Sequence, residues 1–255
     1  PAAPKIRMEF MSQDRVAVVI PSRYASSRFP GKPLAMLCGK PMVQHVYEKA
    51  AASTADLTVV ATDHQAIYDT VAGFGGRAVM TAESHPSGTD RIAEAVSRLG
   101  EKIDIVVNVQ GDEPLIPTSV IDELIVIMKS DPAIEMATVA VPGDRNGMTE
   151  NNVKVVFGSD RFALYFSRSM IPFLRSGGEE APVYLHWGIY AYRKSALDRF
   201  VSLPPGRLEN CEKLEQLRAL ENGIRIYVLL SELESIGIDT PEDLIRAEKK
   251  LREGR

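Results

Sequence analysis

Four short apolar runs, VAVVI (16–20), LTVVA (57–61), RAVM (77–80) and IDIVVNV (103–109), each precede a stretch of helical apolar spacing. Runs this short and this continuous are what strands covered on both faces require. The helical spacing appears at Met42, Val43, Val46 and Ala50 behind Pro41, and again from His64 to Ala72. It returns at Ile92, Ala93, Val96 and Leu99, and over 118–129. Repeated strand–helix alternation predicts βαβ units, and therefore an α/β fold with a mostly parallel sheet and helices on both faces.

The rhythm changes after residue 134. EMATVAVP (135–142), NVKVVFG (152–158) and LHWGIYAYR (185–193) predict strands separated by the loops GDRNGMTENN and SGGEEAP, and RFALYFSRSMIPF (161–173) is short and aromatic. A small strand-rich lobe is expected over about 135–190. A helix follows from about Lys194, then one strong helix over CEKLEQLRALEN (211–222) stopped at Gly223, then a strand in IRIYVLL (224–230). The last helix begins with Thr240 as N-cap and Pro241 at its first position. With no internal repeat and no linker, residues 16–255 read as a single domain. Residues 1–15 read as a leader or tag remnant, because PAAPKIRMEF has no apolar stretch of signal-peptide type.

The net charge of −4 and pI near 5.7 argue against a nucleic-acid partner. No apolar run is long enough to insert in a membrane. The two cysteines, Cys38 and Cys211, show neither metal-ligand spacing nor a disulfide framework, and read as free thiols in a reducing, cytoplasmic compartment.

In open parallel sheets ligands bind beyond the carboxyl ends of the strands. The segments there are PSRYASSRFPGK, TDH, TAESHPSGTDR and QGDEP. The first brings Arg23, Arg28 and Lys32 together among small residues, a local cationic device in an acidic chain. Guanidinium forks and an ammonium suit phosphate oxygens; a solvated basic loop is the alternative. The segment is neither G-x-x-x-x-G-K-[ST] nor G-x-G-x-x-G, which removes the P-loop and dinucleotide readings. Asp112 is placed to hold Mg²⁺ against phosphate, with a turn role or Glu113 as ligand the alternatives. Asp239 is a second candidate, unless it shares capping with Thr240. Some residues have a plainer reading in isolation. His186 is structural as readily as functional, Arg91 pairs with Glu94, and Glu215 and Gln216 lie on a helix surface. Phe162, Tyr165, Phe166 and Phe173 belong to a core or interface.

The ordered blocks VVIPSRYASSRFPGKPL, ATDH, HPSGTDRIAE, NVQGDEPLIP, NNVKVV, YFSRSMIP, HWGIYAYR, LEQLRALENG and GIDTPEDL closely resemble the 3-deoxy-manno-octulosonate (Kdo) cytidylyltransferases, from about Val16 onward. The resemblance implies a Rossmann-like sheet of the nucleotide-diphospho-sugar transferase type. It also implies the reaction CTP + Kdo → CMP-Kdo + pyrophosphate, for lipopolysaccharide synthesis, with Mg²⁺ as cofactor in a cytoplasmic homodimer. By matching position, Arg23, Ser26, Ser27, Arg28 and Lys32 would hold the triphosphate, with Ser87, Gly88 and Gln110 near the nucleoside. Asp112 and Asp239 would hold the metal. Lys32, Asp112 and Asp239 would form the catalytic group. Arg91, Arg168, His186, Tyr190, Glu215 and Gln216 would line the sugar site. The chain departs from the family pattern in ENN before VKVV, and in Trp187, where a smaller aliphatic residue is expected. A ring facing the sugar would shift preference towards an amino-substituted octulosonate; packing is the plainer role. Other readings are a cytidylyltransferase for 8-amino-Kdo or sialate, and a non-catalytic nucleotide-sugar sensor.

Overall fold

The computed structural model describes residues 13–25, 29–178, 181–233, 237–238 and 240–253. Ser26, Ser27, Arg28, Asp239 and most of the expected leader lie outside the described residues. Asp14 and Arg15, assigned to that leader from sequence, are tied to the body: the Arg15 N–H donates to Asp104 Oδ2 at 3.0 Å, and Asp14 pairs with Arg193 at 3.1 Å.

The first half alternates as the apolar runs require. Its elements are β1 (Val16–Ser22), the small hairpin β2 (Met36–Leu37) and β3 (Lys40–Pro41), α1 (Met42–Ala51), β4 (Leu57–Thr62), α2 (Gln65–Gly73), β5 (Ala78–Met80), α3 (Gly88–Arg98), β6 (Ile105–Asn108) and α4 (Thr118–Ser130). The second half holds β7 (Met136–Gly143), β8 (Lys154–Phe157), β9 (Ala163–Ser167), β10 (Val183–Arg193), α5 (Lys194–Ser202), α6 (Arg207–Glu212), α7 (Gln216–Glu221), β11 (Ile226–Leu230) and α8 (Pro241–Glu253).

The main sheet runs β11–β7–β10–β6–β1–β4–β5. β1 pairs in parallel with both β4 and β6, and β4 with β5, so the loops after these strands share one rim. β10 alone on this path runs antiparallel to its neighbours β6 and β7, and the β8–β9 hairpin branches from it. Because strands leave β1 in opposite directions, the switch of order falls between β1 and β6. That is where an open α/β sheet presents its binding crevice. α1, α2 and α4 bury their apolar stripes on one face of the sheet, and α3, α5 and α7 on the other.

Two departures from the sequence reading bear on the site. RFALYFS contains a strand, β9. CEKLEQLRALEN is not one helix: Lys213 adopts a left-handed conformation (φ 54°) between α6 and α7. The break is held by Arg218, whose guanidinium grips Glu209 with two hydrogen bonds of 2.6 and 2.8 Å beneath the Phe200 ring. At the C-terminal helix, Thr240 is the cap the sequence predicts. The Asp243 N–H donates to its hydroxyl at 3.3 Å, and the Thr240 N–H returns a bond to Asp243 Oδ2 at 2.9 Å.

Leu124 lies fully buried on α4 within the core of one face. Leu124→Ala is expected to lower unfolding free energy by about 2–5 kcal/mol, read as a lower urea midpoint with an unchanged slope.

Candidate active site

The phosphate-loop candidate leaves β1 at Ser22 and folds back on itself. Gly31 sits at φ 69°, a conformation glycine takes without cost, and its N–H closes onto the Tyr24 carbonyl at 3.0 Å. A single 3-10 turn over Lys32–Leu34 comes next. Tyr24 stacks on His64 beyond β4, with ring centroids 4.0 Å apart, which anchors the loop to the neighbouring strand tip. His64 itself caps α2 through its ring Nδ1, which accepts from Ala66 N–H.

The outcome is the placement of Lys32. Its ammonium donates to Asp112 Oδ2 at 2.7 Å and to the Ile238 carbonyl at 2.8 Å. The Ile238 N–H in turn donates to the Asp112 carbonyl at 2.9 Å. The cationic loop, the turn after β6 and the segment leading into residue 239 therefore meet at one point. Gly111 permits the approach: a Cβ there would lie 2.8 Å from the Pro21 carbonyl oxygen. Gln110 donates to the Gly188 carbonyl at 3.1 Å, and Glu113 accepts from the Trp187 indole N–H at 3.2 Å. Ser87 caps α3, accepting from Asp90 N–H at 3.1 Å, while Gly88 packs on Pro21 at the end of β1.

On the other side of the rim the candidate sugar residues are less exposed. Burial raises the pKa of Glu215, opposed by hydrogen bonds from Ser87 and Thr89, and its Oε2 lies 2.9 Å from the Thr89 hydroxyl. Burial also raises Tyr190 and Tyr192 above the usual phenol range, with the Glu215 charge adding to it, so both phenols stay protonated. Gln216 is buried beside Glu215, not on a helix surface as its sequence context suggests. A cavity of about 450 Å³ opens here, lined by Ser87, Asp90, Glu209, Lys213, Glu215 and Arg218 among others. Arg168 is held by carbonyl oxygens: its Nε donates to Glu212 O at 2.7 Å and its Nη1 to Glu150 O at 3.1 Å.

Arg91 stands apart from this group. It is fully buried, and its guanidinium pairs with Asp63 Oδ2 at 2.6 Å and with the Thr81 hydroxyl, not with Glu94 as helical spacing predicts. Glu94 is taken by Arg98, His85 and the Ala82 N–H. Burial lowers the Arg91 pKa, with Asp63 opposing and repulsion from Arg23 adding to it. Sequence reasoning misses Asp63, Glu113 as a structural anchor, Tyr24 and Lys154. The last offers a signal, a lysine amid the apolar run VKVV. Its buried ammonium donates to the carbonyls of Thr149 and Asn152, and to that of Arg168.

His186 sits against Phe166 and Tyr190, with ring centroids 5.0 and 5.3 Å away. Burial pushes its pKa down to about 3. The Thr138 hydroxyl has one proton, spent on the Ile189 carbonyl at 2.8 Å, so the His186 Nε2–H donates to that hydroxyl at 3.0 Å and Nδ1 keeps its lone pair. The unfolded chain takes up this proton near the ordinary histidine value, the folded chain not until about 3. Acid in that window therefore binds the unfolded state preferentially and lowers stability as pH falls. The ring resonances of His186 are expected to stay flat between pH 8 and 5 in an NMR titration, and a midpoint near the ordinary histidine value contradicts this.

With this geometry in place, three kinds of comparison agree. A cytidylyltransferase family model matches residues 17–226. A 3-deoxy-manno-octulosonate cytidylyltransferase from Syntrophobacter fumaroxidans is 52% identical over 90% of this chain and 94% of its own length. An 8-amino-3,8-dideoxy-manno-octulosonate cytidylyltransferase from Shewanella amazonensis is 50% identical over 93% of this chain and 98% of its own. The solved structure of a CMP:2-keto-3-deoxy-manno-octonic acid synthetase in complex with CTP superposes with a TM-score of 0.91 at 40% identity, covering 95% of this chain and all of that one. The chain belongs to the cytidylyltransferase family, in the company of the 3-deoxy-manno-octulosonate cytidylyltransferases.

Proposed function

We propose that the protein transfers CMP from CTP to the anomeric hydroxyl of Kdo and releases pyrophosphate, supplying an activated sugar for lipopolysaccharide synthesis. The observation that carries this reading is the meeting of Lys32, Asp112 and the Ile238 carbonyl at the switch point of the sheet. The names of the similar proteins supply the substrate. The sugar hydroxyl gives up its proton to solvent water as its oxygen attacks the α-phosphorus of CTP and forms a new P–O bond. The bond from the α-phosphorus to the bridging oxygen breaks in line, and pyrophosphate leaves.

Position and charge carry most of such a transfer. Lys32, with Arg23, Ser26, Ser27 and Arg28, would grip the triphosphate and stabilise the charge growing on pyrophosphate. Ser87, Gly88 and Gln110 would fix the nucleoside. Arg168, whose guanidinium donates to carbonyl oxygens and whose main-chain N–H donates to Glu212 Oε2 at 2.8 Å, would meet the Kdo carboxylate. His186, Tyr190, Glu215 and Gln216 would bind sugar hydroxyls, while Arg91, buried against Asp63 and Thr81, would support the rim from outside that group. The Asp112 carboxylate is a hard oxygen donor at a place that already attracts a cation, here the Lys32 ammonium, and this suits a divalent ion shared with phosphate. Asp112, with Asp239, would hold Mg²⁺, which when bound polarises the α-phosphate and neutralises its charge.

A second acid sugar, 8-amino-Kdo, is favoured by the relatives of that name at similar identity. Among the described residues no helix is long and apolar enough to cross a membrane, and both cysteines are free, which supports a cytoplasmic site of action. We further propose that residues 16–255 act as one domain that pairs with a second copy through the 135–190 region. Phe173 there is 84% exposed and Leu164 67%.

The test is pyrophosphate release with CTP, Mg²⁺ and, in parallel, Kdo, 8-amino-Kdo and sialate. Turnover is expected with an octulosonate, and CTP binding without turnover of any acid sugar would favour the sensor reading. Asp112→Asn is expected to retain the fold by circular dichroism and lose pyrophosphate release, whereas Lys32→Met costs about 3 kcal/mol of transition-state stabilisation. Normal turnover in Asp112→Asn would remove that carboxylate from the mechanism. Phe173→Asp is expected to sediment as a monomer where the unaltered chain sediments as a dimer.

A further inference from the structure

β10 carries an irregularity at the rim of the crevice. Its register against β7 runs from Val183 opposite Gly143 to Trp187 opposite Val139, then resumes only at Tyr190 opposite Thr138. Gly188 and Ile189 are therefore extra residues, and the buried Thr138 hydroxyl fastens the bulge through the Ile189 carbonyl at 2.8 Å. The last paired residue before the bulge and the first residue of the bulge reach the turn after β6. The Gly188 carbonyl accepts from Gln110 Nε2 at 3.1 Å, and the Trp187 indole N–H donates to Glu113 Oε1 at 3.2 Å. Asp112 lies between those two anchored positions.

Glu113 also lies beside the segment arriving from β11. A Cβ at Gly237 would lie 3.5 Å from Glu113 Oε1, in ordinary contact, and the next residue, Ile238, binds the Asp112 backbone at 2.9 Å. Glu113 and Asp112 are adjacent carboxylates, and either would turn towards an incoming cation. A neutral donor on Glu113 lets one carboxylate serve as scaffold and leaves the other facing Lys32. Trp187 is 9% exposed and packs in the core of one face, so its ring does not line the crevice and its polar edge is what reaches the turn.

We propose that Trp187 is a positioning residue for the turn at 110–113, its indole N–H holding Glu113 so that Asp112 presents its carboxylate to the divalent ion. This rests on the metal-binding reading of Asp112 above. Trp187→Phe keeps an aromatic body and removes the donor. Trp187 is also the sole tryptophan, so a uniformly ¹⁵N-labelled chain gives a single indole resonance from this bond.

The experiment measures Mn²⁺ affinity by electron paramagnetic resonance in the presence of CTP, and CTP affinity without metal by calorimetry, for the unaltered chain and for W187F. The expected result is Mn²⁺ binding weakened about fivefold in W187F, the loss of one hydrogen bond to a carboxylate, with metal-free CTP affinity within about twofold. In the unaltered chain the indole resonance is expected to broaden on adding Mn²⁺ with CTP, and to shift in E113Q. Equal Mn²⁺ affinity in the two proteins, or an indole resonance indifferent to both E113Q and Mn²⁺, overturns the proposal and leaves the metal reading standing. Failure of the unaltered chain to bind Mn²⁺ overturns the metal reading, and this inference with it.

Discussion

A single ammonium group ties the site together. Lys32 meets a carboxylate 80 positions further along the chain and a carbonyl 206 positions away, both within hydrogen-bond distance. Neither partner is near it in sequence, so the contact exists only because β1 and β6 lie side by side and the chain returns past them after β11. The sheet order creates the crevice, and the Lys32 turn, Gly111 and the Ile238 backbone bring charge into it. Charges and donors held in position before a ligand arrives are how a protein lowers a barrier without covalent chemistry.

The two sides of the crevice differ in how they carry polarity. The side towards the loop after β1 is built from permanent charges. The side towards β10 and α7 holds an imidazole kept neutral and two phenols kept protonated by burial, beside the Glu215 carboxyl, whose pKa burial raises. Such a division suits one ligand that is a polyanion and another rich in hydroxyls. Arg168 lines a separate cavity with Glu150 and Lys154, its guanidinium donating to carbonyl oxygens and its main-chain N–H to the Glu212 carboxylate.

Much of this is legible in the sequence because strands buried on both faces, and the loops beyond them, leave strong local patterns. The cationic loop, the Asp112 turn and the Thr240 cap can be placed from those patterns. What local pattern misses is decided by distant partners. Glu94 stands at helical spacing from Arg91, yet half-buried Asp63 and buried Thr81 claim the guanidinium. The apolar spacing of 211–222 fits one helix as well as two, and only the bidentate Arg218–Glu209 pair and the left-handed Lys213 reveal the break. That break turns both Glu215 and Gln216 inward: Glu215 joins the pocket wall and Gln216 is buried beside it, although their composition is that of a helix surface. Trp187 packs as its aromatic character suggests, but the hydrogen bond of its indole edge has no trace in periodicity.

The direction of β10 has a further result. The parallel strands offer the crevice only the loops beyond their ends, whereas β10 crosses the rim partway along its length, braced by β6 and β7 on either side. Its gift to Gln110 is a main-chain oxygen, which every amino acid possesses, and its gift to Glu113 is a side chain, which only some do. Descendants of this chain are free to drift at position 187 and retune the acidic turn while the grip on Gln110 passes unchanged from one generation to the next.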